Sequence, residues 1–276
     1  MNNDSLGDRM KGYENVSRNY LPYKIPVIIR VDGKAFHTFT RGMQKPFDRL
    51  LMSAMQDTML GLCKNIQGCV FGYTQSDEIT LVLTDYNTPT THGWFGYNIQ
   101  KMASISASLA TLTFNKCFAE RAQTYLDELS ECWHTSEEGD KYSLALTKAI
   151  ESGGMFDSRV FTLPKEEVVN CLIWRQQDAT RNSIESAGRA FFSDTKLYKK
   201  NCKTIQEMLF QEHGINWNDY DPDFKRGAAC YKVPTQIEVP SVDDSSKTNL
   251  ITRDKWYIDR EIPIFTQDRE FVSKWL

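Results

Sequence analysis

Residues 24–31, KIPVIIRV, form a β-branched apolar run that stops at Asp32-Gly33, the pattern of a buried strand ending in a turn. Across 45–65 the apolar residues Phe47, Leu50, Leu51, Met55, Met59 and Leu62 recur near helical spacing, and Pro46 suits a first turn. The runs 69–74 and 79–83 are β-rich and joined by Gln75-Ser76-Asp77-Glu78, which predicts an antiparallel hairpin. A second helix is predicted over 101–118 and a short strand over 159–163, with Pro164 dividing that strand from a helix starting near Lys165. Strand, helix, strand, strand, helix, strand is the βαββαβ order of an α+β, ferredoxin-like sheet with helices on one face. Beyond about Ile184 the pattern is helical over 195–211, then irregular and polar, with SVDDSSKTN at 241–249 reading as a surface loop. The expected division is a catalytic domain at 1–184 and a helical and irregular C-terminal region at 185–276 packing on it.

Composition narrows this picture without redirecting it. At 276 residues and 41% hydrophobic, the chain can bury a core that needs no disulfides. A net charge of −3 excludes a purely electrostatic nucleic-acid binder but leaves room for a local basic track. Seven cysteines form no CxxC pair and no Cys/His cluster at zinc spacing, so they read as small, buried, free thiols in a reducing compartment. The amino terminus lacks a hydrophobic signal core, and no segment approaches the length of a membrane span. The expectation is a soluble, cytoplasmic protein with no membrane association.

The chemistry gathers at strand ends. Asp32 follows one apolar strand immediately and Asp77 sits at the tip of the hairpin, and a charge at each place asks for a reason. If the first strand pairs beside the hairpin, both carboxylates meet at one sheet edge as hard oxygen ligands for Mg²⁺. Two such ions about 3.5–4 Å apart activate a hydroxyl and stabilise a pyrophosphate leaving group. Gly33 permits close backbone approach, and the N–H groups after it can line a triphosphate. Taken singly, Asp32-Gly33 also reads as a plain turn and Asp77-Glu78 as a solvated hairpin tip; their order along the chain favours the site.

Five elements then carry a family resemblance. The stretch from Arg30 to Phe39, RVDGKAFHTF, resembles the RxDGxxFxxF signature of the tRNA(His) guanylyltransferase superfamily. Lys45-Pro46-Phe47-Asp48 resembles its KPxD element and Tyr73-Thr74-Gln75-Ser76-Asp77-Glu78 its YxQSDE hairpin. Phe156-Asp157-Ser158-Arg159-Val160 and Trp174-Arg175-Gln176-Gln177-Asp178 resemble FDxRV and WRQxD. The resemblance implies a polymerase-like palm that adds nucleotides to RNA 5′ ends in the 3′-to-5′ direction. It implies two Mg²⁺ ions held by Asp32, the Gly33 carbonyl and Asp77, with Glu78 beside them as a further catalytic residue. It also implies nucleotide contacts from Asp32, Gly33, Lys34, Ala35, Phe36, His37, Lys45, Asp48, Ser76, Asp77 and Lys101. His37 reads equally as a packing histidine, and Lys45 and Lys101 as solvated lysines. Asp157, Arg159, Trp174 and Arg175 are either architectural or in contact with RNA.

One element departs from the pattern. Where the eukaryotic enzymes carry a HINNLYN-like run, residues 179–184 read ATRNSI, and only Asn182 keeps that polar character. This variant, with Gly214–Asn218 and Phe224–Gly227, resembles the Thg1-like proteins of bacteria and archaea, template-dependent enzymes that rebuild truncated tRNA 5′ ends. The implied partners are tRNA, ATP and GTP, and the implied assembly is a homotetramer. Arg175, Arg181, Asn182, Lys199, Lys200, Lys225 and Arg226 are candidate RNA contacts, though paired basic residues are also common on solvated helices. The competing functions are a nucleotidyl cyclase and a catalytically silent RNA-binding scaffold.

Overall fold

The computed structural model describes residues 5–86, 88–131, 137–240 and 248–276. Cys132 and most of the loop expected at 241–249 lie outside the described residues. The chain begins with helix α1 (Ser5–Val16), strand β1 (Val27–Gly33), the single turn α2 (Phe36–Phe39) and α3 (Arg49–Asn65). The hairpin β2 (Cys69–Gln75) and β3 (Glu78–Leu83) follows, then α4 (Ile99–Ser130), α5 (Glu137–Ser152) and β4 (Phe156–Thr162). Helix α6 (Lys165–Phe191) leads into α7 (Asp194–Leu197), α8 (Cys202–His213) and α9 (Pro222–Arg226). The hairpin β5 (Ala228–Pro240) and β6 (Thr248–Asp259) and the short α10 (Glu270–Ser273) complete it.

The six strands form one sheet in the order β4-β1-β3-β2-β5-β6, every neighbouring pair antiparallel. Its first four strands have the ferredoxin-like order expected from the chain pattern. Strand alternation sorts the core into two layers. Val27, Ile29 and Val31 of β1 pack with Met55, Met59 and Phe114 of α3 and α4. Ile28, one residue out of step, packs with Val168 and Leu172 of α6 and with Phe265. Both faces of the sheet are therefore covered, one by the two crossover helices and the other by α6 and the C-terminal tail. A third, smaller cluster joins Ile184 and Ala187 of α6 to Ile205 and Leu209 of α8.

Three elements differ from the sequence pattern. Helix α3 starts at Arg49, because Asp48 caps it by accepting from the Leu51 N–H at 2.9 Å; Pro46 precedes the helix instead of opening it. Helix α4 runs to Ser130, well past 118, through a polar half that carries little apolar periodicity. The C-terminal region is not only helical and irregular: β5 and β6 extend the sheet. Only Ala228–Cys230 of β5 pair with β2, so Pro234 falls where β5 has β6 alone as neighbour and a missing N–H costs no second ladder bond. The division expected after 184 falls inside α6, which runs unbroken to Phe191.

Candidate active site

The end of β1 is pinned from both sides. The Gly33 N–H donates to the Asp77 carbonyl at 3.0 Å, and the Lys34 N–H to the Met155 carbonyl at 2.8 Å. Asp32 stands opposite Glu78 in β3 and opposite Asp157 in β4. This register brings Asp32 and Asp77 to one sheet edge, as the strand pattern anticipates. Burial pushes the Asp77 carboxyl up from its usual range, and the charge of Asp32 pushes the same way. The Asp77 backbone N–H and the Ser76 hydroxyl, 3.1 Å from Oδ1, oppose that shift. Among the described residues no cationic side chain forms an ion pair with Asp77, while Asp32 has Arg159 at 3.7 Å.

Two neighbouring carboxylates with one loosely placed counter-ion between them suit a divalent cation. Among the described residues no three His, Cys, Asp or Glu side chains converge as a ready cage. The two carboxylates would leave most positions of an ion to other ligands. That fits an octahedral ion such as Mg²⁺, which keeps waters and takes up substrate phosphate oxygens for its remaining positions.

Other expected site residues take different places. Glu78 lies directly across from Asp32, but its buried carboxylate is engaged by Arg175 at 2.7 Å and lies 3.9 Å from Arg30 Nε. Burial raises the Glu78 carboxyl and the two arginines pull it back. Arg175, expected on RNA, is buried in that pair and also reaches Asp178 at 3.5 Å. Asp48, expected on nucleotide, is buried too: besides capping α3 it accepts from the Gln44 N–H and the Tyr142 hydroxyl. The Phe36 ring is core, packed on Phe39, Phe114 and Phe156, so only its backbone faces the turn. That ring also explains Gly33, since a Cβ there would lie 2.4 Å from Phe36 Cδ2.

Lys34, Ala35 and His37 are exposed around the turn that leads into α2, and Ala35 adopts left-handed geometry at φ 54°. Exposed Lys101 lies in the first turn of α4, which Asn98 caps. Beside the carboxylates opens a cleft of about 230 Å³ that brings Lys45, Ser76 and Asn182 together with Asp48. It is completed by Gln75 of the YxQSDE hairpin, by Ser183 of the run at 179–184, and by Ser186 and Asp223, which no motif contains. The signal was present in the small and polar stripe at 179, 182, 183 and 186, one face of a helix. Gly227 closes the cleft where a Cβ would lie 2.3 Å from the Thr74 carbonyl oxygen, with φ 82°.

The remaining basic candidates divide. Arg181 is exposed and paired with Asp178, and Lys199 and Lys200 are exposed on the turn before α8. Lys225 and Arg226 are half-buried and tied to backbone carbonyls, those of Asn218 and Ile262. Of the six described cysteines, Cys63, Cys69 and Cys230 are buried and the others half-buried. Among the described residues no helix is long and apolar enough to cross a membrane.

Comparison with known proteins bears on the family and the fold. The family described as tRNAHis guanylyltransferase (Thg1) matches residues 7–164. The fold resembles a bacterial tRNA(His) guanylyltransferase (Thg1)-like protein in complex with ATP, at TM-score 0.78 and 39% identity over 98% of each chain. A bacterial tRNA(His) guanylyltransferase (Thg1)-like protein in complex with GTP aligns at TM-score 0.74 and 37% identity over 99% of each chain. A probable tRNA(His) guanylyltransferase of Dictyostelium discoideum is 24% identical over 265 residues, covering 87% of this chain and 86% of its own. The chain belongs to the tRNA(His) guanylyltransferase family and is a nucleotidyltransferase.

Proposed function

We propose that this family member is a template-dependent 3′-to-5′ nucleotidyltransferase that extends the 5′ ends of tRNA after activating them with ATP. The observation that carries the proposal is the meeting of Asp32 and Asp77 at one sheet edge, beside a cleft holding Lys45, Ser76 and Asn182. Asp32, Asp77 and the Gly33 carbonyl would hold two Mg²⁺ ions, whose chemistry is to lower the pKa of the attacking hydroxyl and neutralise charge on phosphate oxygens. Lys34, Lys45 and Lys101 supply compact positive charge for a triphosphate, and the turn at Ala35–His37 presents its backbone to it. Ser76 orients Asp77 and offers a hydroxyl to the same substrate. The nucleophile in chain growth is the 3′-hydroxyl of the incoming nucleoside triphosphate, and base pairing with the opposite acceptor strand chooses the base. Guanosine addition to tRNA(His) falls within this chemistry without being its only use. The proposed setting is the cytoplasm and the proposed assembly a homotetramer, in which joined basic surfaces help a chain of net charge −3 hold tRNA.

The test uses purified protein, a tRNA lacking its first nucleotide, ATP, labelled GTP and Mg²⁺. The proposal expects 5′ extension that disappears in Asp32→Ala and Asp77→Ala. A cyclic nucleotide product without extension overturns it in favour of a cyclase, and RNA binding without any product in favour of a silent scaffold. Equal guanosine addition opposite C and opposite A refutes template dependence alone.

A further inference from the structure

Trp174 is on α6 with 53% of its surface exposed, although its helix covers the core. The Arg175 guanidinium lies 3.7 Å from its ring centroid and that of Arg30 lies 5.6 Å away. A half-exposed indole with a cation held against its ring is a construction on which nucleobases stack, because every base has a π-face.

The strands beneath add a second observation. Arg30 of β1 and Arg159 of β4 stand directly opposite each other in the ladder, an arrangement that repels unless an anion lies between. Arg159 has Asp157 at 3.4 Å and Asp32 at 3.7 Å, whereas Arg30 has only the more distant Glu78, which Arg175 already engages. Arg30 Nε is buried without a hydrogen-bond partner, the Glu78 carboxylate standing off at 3.9 Å.

Position gives the feature its meaning. In the sheet order, β4 and β2 flank the β1–β3 pair from opposite sides. The cleft with Gln75 and Ser76 opens on the β2 side, and the indole lies by Arg30 of β1, whose ladder partner on the other side is Arg159 of β4. A transfer reaction brings two reactants to the same carboxylates, and the cleft accommodates one of them. We propose that Trp174, with Arg30 and Arg159, is the seat of the RNA 5′ end: the terminal base stacks on the indole and its phosphate faces the two arginines. This rests on the proposed RNA 5′-end transfer.

The test uses the full chain and a 5′-monophosphorylated RNA hairpin carrying 2-aminopurine as its first base, whose fluorescence falls on stacking. Quenching is expected on binding to wild type and to Trp174→Phe, and is lost in Trp174→Ala. The KM for a truncated tRNA rises about tenfold in Trp174→Ala, while the KM for ATP is unchanged. Because the ring is half exposed, thermal melting of both variants should match wild type, which separates stacking from a loss of fold. Quenching that persists in Trp174→Ala, quenching absent from wild type, or an effect confined to ATP overturns the inference. Extension by wild type without quenching leaves the proposed activity standing and removes the platform; quenching without extension does the reverse.

Discussion

Asp77 and Glu78 are adjacent in the chain, and burial raises both carboxyls, yet the fold treats them in opposite ways. On the side of the sheet covered by α6, Glu78 receives a cation from the protein itself, Arg175 at 2.7 Å, and both are closed to solvent. At the sheet edge Asp77 receives none among the described residues, although the charge of Asp32 presses on both carboxyls. A buried carboxylate must be neutralised by a partner, a proton or an ion. Where the fold supplies the partner, the carboxylate belongs to the scaffold. Where it does not, the carboxylate is available to a cation from solution.

The largest effect expected from this contrast is structural. Arg175→Met leaves the buried Glu78 charge with only the more distant Arg30 and should cost about 3 kcal/mol, read as a lowered denaturation midpoint. The double variant Glu78→Gln/Arg175→Met should recover most of that loss; failure to recover would mean that Arg175 has a separate role. Next comes the edge itself: Gly33→Ala drives a methyl group into the Phe36 ring and should cost about 1–3 kcal/mol. A similar loss, about 1–3 kcal/mol, is expected from Asp48→Ala, which removes the cap of α3 and the acceptor of the buried Tyr142 hydroxyl. The mildest effect is the pH dependence of the metal-free fold. Because the folded Asp77 carboxyl titrates above its usual 3.8, the folded state holds more protons than the unfolded chain between the two values. Stability in that window therefore falls as pH rises, and Asp77→Asn should flatten the slope in thermal melts. Mg²⁺ binding should strengthen over the same window, since it needs the deprotonated carboxylate.

The legible and illegible parts of the molecule differ in the range of the interactions behind them. Strands β1 to β3 are apolar runs cut by turn residues, and their pairing follows from their order, so the meeting of Asp32 and Asp77 could be read from the chain. Five motifs then identified the family. Strands β5 and β6 carried no comparable mark, because most of their length pairs only with each other and their apolar residues are interrupted by polar ones and, in β5, by two prolines. The Glu78–Arg175 pair spans 97 residues, and no local periodicity announces it. The start of α3 differs for a local reason: Pro46 suits a first helical turn, whereas Asp48 two residues later is the cap. The cleft draws on the loop before α3 and on α3, β2, α6 and α9 together; the KPxD element, the hairpin and the α6 stripe each mark a part of it, but no single segment shows that they meet.

The account's central claim is that Asp32 and Asp77 hold the metal while Glu78 is committed to Arg175. Electron paramagnetic resonance of free Mn²⁺, titrated with protein and ATP, tests it directly. The prediction is that wild type and Glu78→Gln deplete the free Mn²⁺ signal equally, while Asp32→Asn and Asp77→Asn do so far less. If Asp77→Asn binds Mn²⁺ like wild type, or Glu78→Gln loses as much binding as Asp77→Asn, the contrast between the two carboxylate regions is wrong.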